Sequence, residues 1–379
     1  MPTFPQKPFP EKRAFQRSLL RWYARHKRDL PWRKNRDPYR ILVSEFMLQQ
    51  TRVETVLPYF ERFLRTFPTI KVLAKASLQS VLRVWAGLGY YARARHLHAA
   101  AKIICNNLGG KIPSLKKDLL FLPGFGPYIV GAVASIAFNE PAAALDGNVR
   151  RVLSRLLDGQ GISERKKLEG FLEDLIPLGR ASDFNQALMD LGALICIPGQ
   201  PRCPQCPVKK FCSWRGVENQ REKRELKKIR KEVWAIALVE QDGRFFLHRK
   251  EGRGLLAGLW QFPTVVLNGK GMSNESEAIE IKGEQKEASR EKEPLKKALK
   301  ENFGLRVKIK SLLPNKEHQF THLNVTMKPF LCSLLKMLPC DRVPKDVRWV
   351  KPSNLSRYPI SRAMGKIAAL ILNSSTRSH

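Results

Sequence analysis

Two carboxyl groups are candidates for acid–base chemistry. The sequence predicts that Glu45 is buried and that Asp146 lies at the start of a helix. Glu45 falls within the run YRILVSEFML, whose apolar residues cover a helix nearly all round, as in a buried helix. A buried glutamate is costly unless it is paired or protonated, and burial raises its pKa toward the range of a general acid. Asp146 precedes GNVRRVLSRLL, where its carboxylate can cap the next helix. A core glutamate paired with an arginine and a simple helix cap are the structural alternatives.

The stretch LPGFGPY predicts a tight hairpin that leads into a helix. Gly124 and Gly126 allow a turn whose backbone N–H groups point outward, and Pro127 suits the first helical position. Small residues between Gly131 and Ala137 let this helix pack closely. Outward N–H groups at a helix start bind anions, so the stretch predicts a phosphate clamp with Asp146 beside it. An ordinary turn is the structural alternative.

Four of the seven cysteines crowd into one short loop. Their spacing is six, two and five residues, in the order Cys196, Cys203, Cys206 and Cys212. This pattern suits a metal site better than a disulfide framework. Four thiolates at such a spacing can hold either a tetrahedral zinc ion or a four-iron cluster.

The charge balance points to a polyanionic partner. The 379 residues include 68 lysines and arginines against 34 aspartates and glutamates, a formal net charge of +34. Nucleic acid is the commonest polyanion that such proteins bind. An anionic membrane surface is the other candidate, but no apolar run is long enough to span a bilayer and no signal peptide opens the chain. We expect a cytoplasmic monomer.

Periodicity divides the chain in two. Helical patterns fill the first half, including helices over 14–26 and from Pro38 to about Gln49, the second capped by Asp37. After a charged stretch the pattern changes to strands, with a hairpin turning at Asp242-Gly243 and a closing helix. A polar segment over 268–294 predicts a loop. We expect a helical domain over 1–213 with the cysteine loop at 196–212, a linker over 214–232, and an α/β domain over 233–379.

Several motifs in order carry a family resemblance. They are SEFMLQQT, GLGYYARAR, LPGFGPY, LDGNV and the four spaced cysteines. Together they resemble the helix-hairpin-helix Gly/Pro-Asp superfamily of base-excision DNA glycosylases, and SEFMLQQT matches its adenine glycosylase (MutY) branch. The resemblance implies a mainly α-helical glycosylase domain with an iron–sulfur loop, followed by a C-terminal α/β Nudix-like domain. It also implies that the four cysteines hold a [4Fe–4S] cluster.

The resemblance assigns roles to residues of the first domain. Glu45 would protonate the purine and Asp146 would stabilise the sugar cation, with Tyr128 and Asn148 positioning Asp146 and the sugar. The adenine pocket would be lined by Arg28, Trp32 and Gln186. The remaining DNA contacts would come from Gln49, Gln50, Thr51, Leu88, Tyr90, Gly124 and Gly126. The resemblance also implies that Tyr90 intercalates beside the lesion. From the residue types alone, Tyr90 and Tyr91 could wedge a base step and Arg93 and Arg95 could hold phosphates, with ordinary core tyrosines as the structural alternative.

The second domain is expected to read the lesion. A Nudix hydrolase needs clustered glutamates to hold magnesium, whereas this chain has Lys296, Lys297 and Lys300 there, with only Glu301 acidic. In adenine glycosylases a Phe-Ser-His loop recognises the oxidised guanine, and it matches Phe320, Thr321 and His322. Thr321 keeps the hydroxyl of the usual serine and adds a methyl group.

The residues that follow the hairpin bear on the type of reaction. The endonuclease III branch has a lysine near the start of the post-hairpin helix that attacks the sugar and leads to strand cleavage. This chain has Pro127, Tyr128 and Ile129 there. The expected activity is therefore hydrolysis of adenine from mispairs with 8-oxoguanine or guanine in double-stranded DNA, leaving an abasic site. A non-catalytic iron–sulfur DNA-binding protein and a nucleotide pyrophosphatase are the alternatives, and the lysines argue against the second.

Overall fold

The chain divides into two compact units in a computed structural model. The first comprises 1–76 with 92–221, and the second comprises 77–91 with 222–379. The structure describes residues 11–158, 164–216, 229–252, 254–267, 284–340 and 343–375. Across these ranges, no helix combines the length and the apolar character that a membrane span requires.

The described part of the first unit is helical. Its helices are α1 (Lys12–His26), α2 (Pro38–Leu48), α3 (Val53–Thr66), α4 (Ile70–Lys75), α6 (Ala92–Asn107), α7 (Lys116–Leu119), α8 (Pro127–Phe138), α9 (Gly147–Leu156), α10 (Arg165–Leu175) and α11 (Ala181–Leu194), while α5 (Leu78–Trp85) belongs to the second unit. The predicted α1 and α2 are confirmed. Asp37 caps α2 by accepting the Tyr39 amide at 2.9 Å, and Pro38 needs no amide partner at the first helical position.

The predicted hairpin links α7 to α8. Gly124 has a φ of +80°, and a Cβ there would lie 2.6 Å from Cβ of His96, so this position requires glycine. Gly126 has a φ of −76° and open space at its Cβ position, so of the two glycines only Gly124 is required by the geometry of the turn. A Cβ on Gly131 would lie 1.8 Å from the Ala143 carbonyl oxygen, which confirms the close packing of α8.

The core of the first unit forms where α1, α8, α9, α10 and α11 pack together. Large side chains such as Phe15 and Phe184 are fully buried there, with their ring centroids 6.3 Å apart. Three of the loop cysteines pack against the same core. The helices that follow the hairpin and Asp146, α8 and α9, are therefore fixed by one continuous apolar cluster.

The second unit contains a mixed β-sheet. Its strands are β1 (Arg230–Gln241), β2 (Arg244–Arg249), β3 (Trp260–Gln261), β4 (Thr264–Val266), β5 (Leu305–Leu312), β6 (Lys316–Phe320), β7 (Leu323–Met337) and β8 (Val347–Val350). The sheet order is β3-β2-β1-β7-β5, with β1 and β7 parallel and β1 and β2 antiparallel. Helices α12 (Glu284–Phe303) and α13 (Arg362–Ser375) complete the unit.

Two boundaries in the second unit differ from the sequence prediction. Helix α12 begins at Glu284, so a loop reaching to Pro294 is wrong for its last eleven residues; the stretch 268–283 lies outside the described residues. Strand β1 begins at Arg230, inside the expected linker, most of which also lies outside the described residues. The hairpin turn at Asp242-Gly243 is confirmed by φ values of +49° and +69°, as expected of a tight hairpin turn.

The segment 77–91 joins the second unit through specific hydrogen bonds. The Gln79 side chain donates to the Gly258 carbonyl at 3.1 Å and accepts from the Trp260 indole at 2.9 Å. Since the sequence pattern of this segment continues the helical first half, no feature of the sequence alone predicts these bonds.

Candidate active site

Glu45 lies on α2 with 4% of its surface exposed. Its partner is the Tyr128 hydroxyl, which donates to Oε2 at 2.6 Å. Burial raises the pKa of Glu45 to about 7, and the negative charge of Asp146 adds to the shift, while the Tyr128 hydrogen bond and Arg33 oppose it. The alternative of a core glutamate hydrogen-bonded to an arginine is not what the structure shows. A carboxyl group with this pKa can hold a proton near neutral pH and release it to a base.

Tyr128 lies in the first turn of α8 and faces this carboxyl group. Burial and the charge of Glu45 raise the pKa of Tyr128 well above its usual value, so its hydroxyl stays a donor. Its neighbours Pro127 and Ile129 carry no amine. The start of α8 therefore offers a positioning hydroxyl rather than a nucleophile.

Asp146 caps α9, as its sequence position predicts. Its Oδ1 accepts the Val149 amide at 2.6 Å, and its Oδ2 accepts the Asn148 side-chain amide at 3.2 Å. Burial raises the pKa of Asp146, and the hydrogen bonds from Val149 and Asn148 and the charge of Arg151 oppose that rise. Hydrogen bonds to the charged form are the usual means of keeping a buried carboxylate ionised.

Arg151 connects Asn148 to the loop that carries the cysteines. Its guanidinium donates to Oδ1 of Asn148 at 2.9 Å, to the Gly192 carbonyl at 2.7 Å and to the Cys196 carbonyl at 2.7 Å. By accepting from Arg151, Asn148 is oriented with its amide nitrogen toward Asp146. A continuous hydrogen-bonded path therefore runs from the cysteine loop to the carboxylate.

A second buried carboxylate organises the residues expected to line the adenine pocket. Asp190 on α11 is fully buried and accepts from Arg28 and Arg33, with its closest contact to each at 2.7 Å. Burial alone would lower the pKa of Arg33, but its bond to Asp190 raises it. Sequence analysis identified Arg28 and missed Arg33 and Asp190. The charged aspartate inside the apolar pattern of α11 was the available signal, because a buried charge requires partners.

The other predicted pocket residues are buried side chains of the same unit. Trp32 packs edge-on against Phe60, with ring centroids 5.2 Å apart. Gln186 donates to the carbonyl and hydroxyl oxygens of Ser182 at 3.3 and 3.2 Å. Both are held in one orientation by protein contacts, and a role in contacting adenine stays a prediction.

The residues predicted to contact DNA around the lesion fall in two turns. Gln49, Gln50 and Thr51 follow the end of α2, and Gln50 is exposed with a φ of +54°. Leu88 is buried, whereas Tyr90 is 41% exposed with a φ of +48°. A positive φ is uncommon for residues other than glycine and often occurs at ligand contacts.

The hairpin presents fewer amides than its sequence suggests. The Phe125 amide donates to the Leu122 carbonyl at 3.2 Å, and the Gly126 amide donates to the Gly124 carbonyl at 3.1 Å. Any anion at this hairpin would therefore rely mainly on the start of α8, where the helix dipole is positive.

In the second unit, the Phe320–His322 segment forms the turn between β6 and β7. Phe320 lies 5.9 Å from the Trp234 ring centroid, and Thr321 and His322 are exposed. The Thr321 hydroxyl and the Tyr90 hydroxyl form a hydrogen bond. The structure thus brings together two of the residues that the sequence assigns to lesion contacts.

The four loop cysteines are half-buried free thiols. Burial raises the pKa of the Cys206 thiol to about 11. Negative charge on the three other loop cysteines, Cys196, Cys203 and Cys212, raises it further. The Arg155 guanidinium lies 3.5 Å from Sγ of Cys196. Among the described side chains, no group of three or more histidines, cysteines, aspartates or glutamates has metal-binding geometry. The thiols share one loop and one charge environment, which is the donor set that an iron–sulfur cluster needs.

Comparison with known proteins places this arrangement in a family. The adenine DNA glycosylase of Homo sapiens is 34% identical over 418 residues, which cover 94% of this chain and 74% of that protein. The chain belongs to the adenine DNA glycosylase family. The adenine DNA glycosylase of Buchnera aphidicola subsp. Acyrthosiphon pisum (strain APS) is 37% identical over 262 residues, covering 66% of this chain and 74% of its own length.

The domain matches agree with the two halves of this glycosylase. Residues 43–178 match the HhH-GPD superfamily of base excision DNA repair proteins, and residues 234–370 match the NUDIX domain. The solved structure of a thermostable thymine-DNA glycosylase is 33% identical with a TM-score of 0.51, covering 54% of this chain and 96% of that one. The predicted fold class is confirmed: a helical glycosylase domain and a C-terminal Nudix-like α/β domain.

Proposed function

We propose that this glycosylase hydrolyses the N-glycosidic bond of adenine paired with 8-oxoguanine or guanine in double-stranded DNA and leaves an abasic site. The observation that carries the proposal is the buried Glu45 carboxyl group, held by the Tyr128 hydroxyl and having a pKa of about 7. The adenine specificity of the named relatives supports the choice of base.

Glu45 would donate its proton to adenine. Tyr128 occupies Oε2, which leaves Oε1 to carry the proton toward N7 of a base flipped into the unit. Protonation turns a poor purine anion into a neutral leaving group. Flipping the base costs roughly a few kcal/mol, which phosphate contacts of a strongly basic protein would offset.

Asp146 would stabilise the positive charge that develops on the sugar as the bond to adenine breaks. Its two hydrogen bonds from Val149 and Asn148, the second oriented by Arg151, stabilise the charged form against the rise in pKa that burial causes. The oxygen of a water molecule then bonds to C1′ of the sugar, and the proton that this water releases restores the protonated form of Glu45. One carboxyl group with a raised pKa and a second held ionised is the arrangement that glycosidases use for oxocarbenium-like transition states.

The four cysteines, Cys196, Cys203, Cys206 and Cys212, would hold a [4Fe–4S] cluster. Hydrolysis of a glycosidic bond needs no electron transfer, so a bound cluster would supply the loop with a fixed structure. Arg151 and Arg155 bind carbonyl groups of that loop. They would transmit its conformation to α9, which Asp146 caps.

The second unit would recognise the lesion. The exposed turn over Phe320–His322, with Thr321 bonded to Tyr90, supplies the polar and aromatic groups for contacting an oxidised guanine. At the place of the Nudix glutamates, α12 carries Lys296, Lys297 and Lys300, with only Glu301 acidic, and this set does not form the acidic cluster that a magnesium-dependent hydrolase requires. A monomeric state and a cytoplasmic, nucleoid-associated setting remain predictions from the sequence.

The test is a single-turnover assay on a duplex that contains adenine opposite 8-oxoguanine, analysed with and without hot alkali. Strand breaks should appear only after alkali, because the start of α8 has no amine to form a Schiff base. Breaks without alkali would contradict the monofunctional reaction. Absence of breaks under both conditions would favour a non-catalytic DNA-binding protein.

A further inference from the structure

The end of α2 depends on a side chain from another helix. The last carbonyl groups of a helix lack partners within it. The Leu48 carbonyl accepts the Thr51 amide at 3.1 Å. The carbonyl groups of Phe46 and Met47 accept from Arg93, at 3.1 and 2.6 Å.

Arg93 reaches past the helix into the turn that follows. The nitrogen that binds these two carbonyls, Nη1, also donates to the Gln49 carbonyl, and Nη2 donates to the Thr51 hydroxyl at 3.1 Å. Arg93 is only 6% exposed, so a phosphate could reach its guanidinium only by displacing these bonds. The expectation that Arg93 holds DNA phosphates is therefore wrong for this structure. A positive side chain at a helix end also complements the helix dipole.

The turn that Arg93 holds has a strained backbone. Gln50 is exposed at a φ of +54°, a conformation that residues with a side chain adopt only when the surrounding structure imposes it. Arg93 binds the residue on each side of Gln50. These two contacts fix the direction in which the Gln50 amide projects from the turn.

The same guanidinium fixes the helical turn that carries Glu45. Glu45 immediately precedes Phe46, and its own carboxyl group is held by Tyr128 on a different helix. We propose that Arg93 is a positioning residue that joins the Glu45 end of α2 to the exposed turn over 49–51, so that one buried guanidinium sets both the proton donor and the Gln50 amide. The inference rests on the proposed function, since it assigns Glu45 the transfer of a proton.

Arg93→Lys is the most informative variant. Lysine keeps the positive charge, but it lacks the planar guanidinium that donates to four acceptors at once. Lys102→Met is the matched control, since Lys102 is an exposed cation on the same helix α6. The single-turnover rate on the duplex with adenine opposite 8-oxoguanine is measured per active site, after titration of the active fraction. Affinity for undamaged duplex is measured at several salt concentrations.

We expect Arg93→Lys to slow adenine release by about 10- to 100-fold, as a small misplacement of a catalytic group does. The affinity for undamaged duplex and its salt dependence should match those of the wild type. Lys102→Met should release adenine at the wild-type rate. Thermal unfolding adds an independent readout: Gln50→Gly accepts the positive φ without strain, so Arg93→Lys should lower the Tm less in that background than in the wild type.

Four results would overturn the inference. An unchanged rate per active site, with only the active fraction reduced, would make Arg93 a purely structural residue. A weaker salt dependence of duplex binding in Arg93→Met, which removes the charge, would make it a phosphate contact. An unchanged rate and active fraction would remove any role, and equal Tm losses in both backgrounds would separate Arg93 from the Gln50 turn. If the wild type itself releases no adenine, the proposed function fails instead.

Discussion

Two sets of charged side chains, one in each unit, lie in opposite environments. In the first unit, Glu45 and Asp190 are buried, and each has named partners at 2.6 to 2.7 Å. In the second, Lys296 and Lys297 on α12 pair with glutamates one turn away, with large parts of all four side chains exposed. Surface pairs of this kind contribute little to stability. The role proposed for Glu45 requires a buried environment of the kind that the first unit provides.

Removing the proton donor should have the largest effect. Glu45→Gln keeps the shape of the side chain and an oxygen that accepts from Tyr128, but it has no proton to transfer. General acid catalysis contributes roughly 10²- to 10⁴-fold, so the single-turnover rate should fall by about that factor while duplex affinity stays within about twofold. Glu61→Gln, on the exposed face of α3, is the control. Equal rates in wild type and Glu45→Gln would show that Glu45 is not the group that protonates adenine.

Breaking the path behind Asp146 should have an intermediate effect. Arg151→Met removes the donor that orients Asn148 and the link to the Cys196 carbonyl. Misplacement of the carboxylate should slow adenine release by about 10- to 100-fold. Single-turnover assays with enzyme in excess over duplex, quenched at successive times, measure this rate. A loss of duplex affinity with an unchanged rate would show that Arg151 serves DNA binding instead.

Changing the second unit should alter discrimination more than rate. Thr321→Ala removes the hydroxyl that bonds to Tyr90, and a neutral hydrogen bond contributes about 0.5–1.5 kcal/mol. The preference for adenine opposite 8-oxoguanine over adenine opposite guanine should fall by about 2- to 10-fold, and Thr321→Ser should retain it. A rate that falls equally on both duplexes would assign Thr321 to the chemistry and weaken the contrast between the units.

The last prediction is that the second unit has no pyrophosphatase activity. With magnesium and an oxidised deoxynucleoside triphosphate, the protein should release no pyrophosphate above the background of a blank, because α12 presents lysines where a Nudix hydrolase needs glutamates. Pyrophosphate release that rises in proportion to enzyme concentration would show that the second unit is itself a hydrolase.

Much of this arrangement follows from local sequence rules, and the rest depends on long-range packing. Asp37 before Pro38 predicts the start of α2, and the buried run around Glu45 predicts its burial. The requirement for glycine at Gly124 follows from His96, nearly thirty residues away, and no local rule provides it. Arg33 and Asp190 meet across 157 residues, so their pairing is visible only in the fold. The early start of α12 at Glu284 shows that a charged segment can be helical in spite of its loop-like composition.

Proton transfer to adenine requires Glu45 to be protonated. Because its pKa is raised from 4.5 to about 7, the protonated form predominates below that value and is lost as the pH rises through it. The single-turnover rate of the wild type on the duplex with adenine opposite 8-oxoguanine should therefore be level below about pH 7 and fall about tenfold per pH unit above it. A rate that is independent of pH between 5.5 and 8.5, values chosen to span roughly the useful range of a general acid, would contradict the central claim that Glu45 donates the proton.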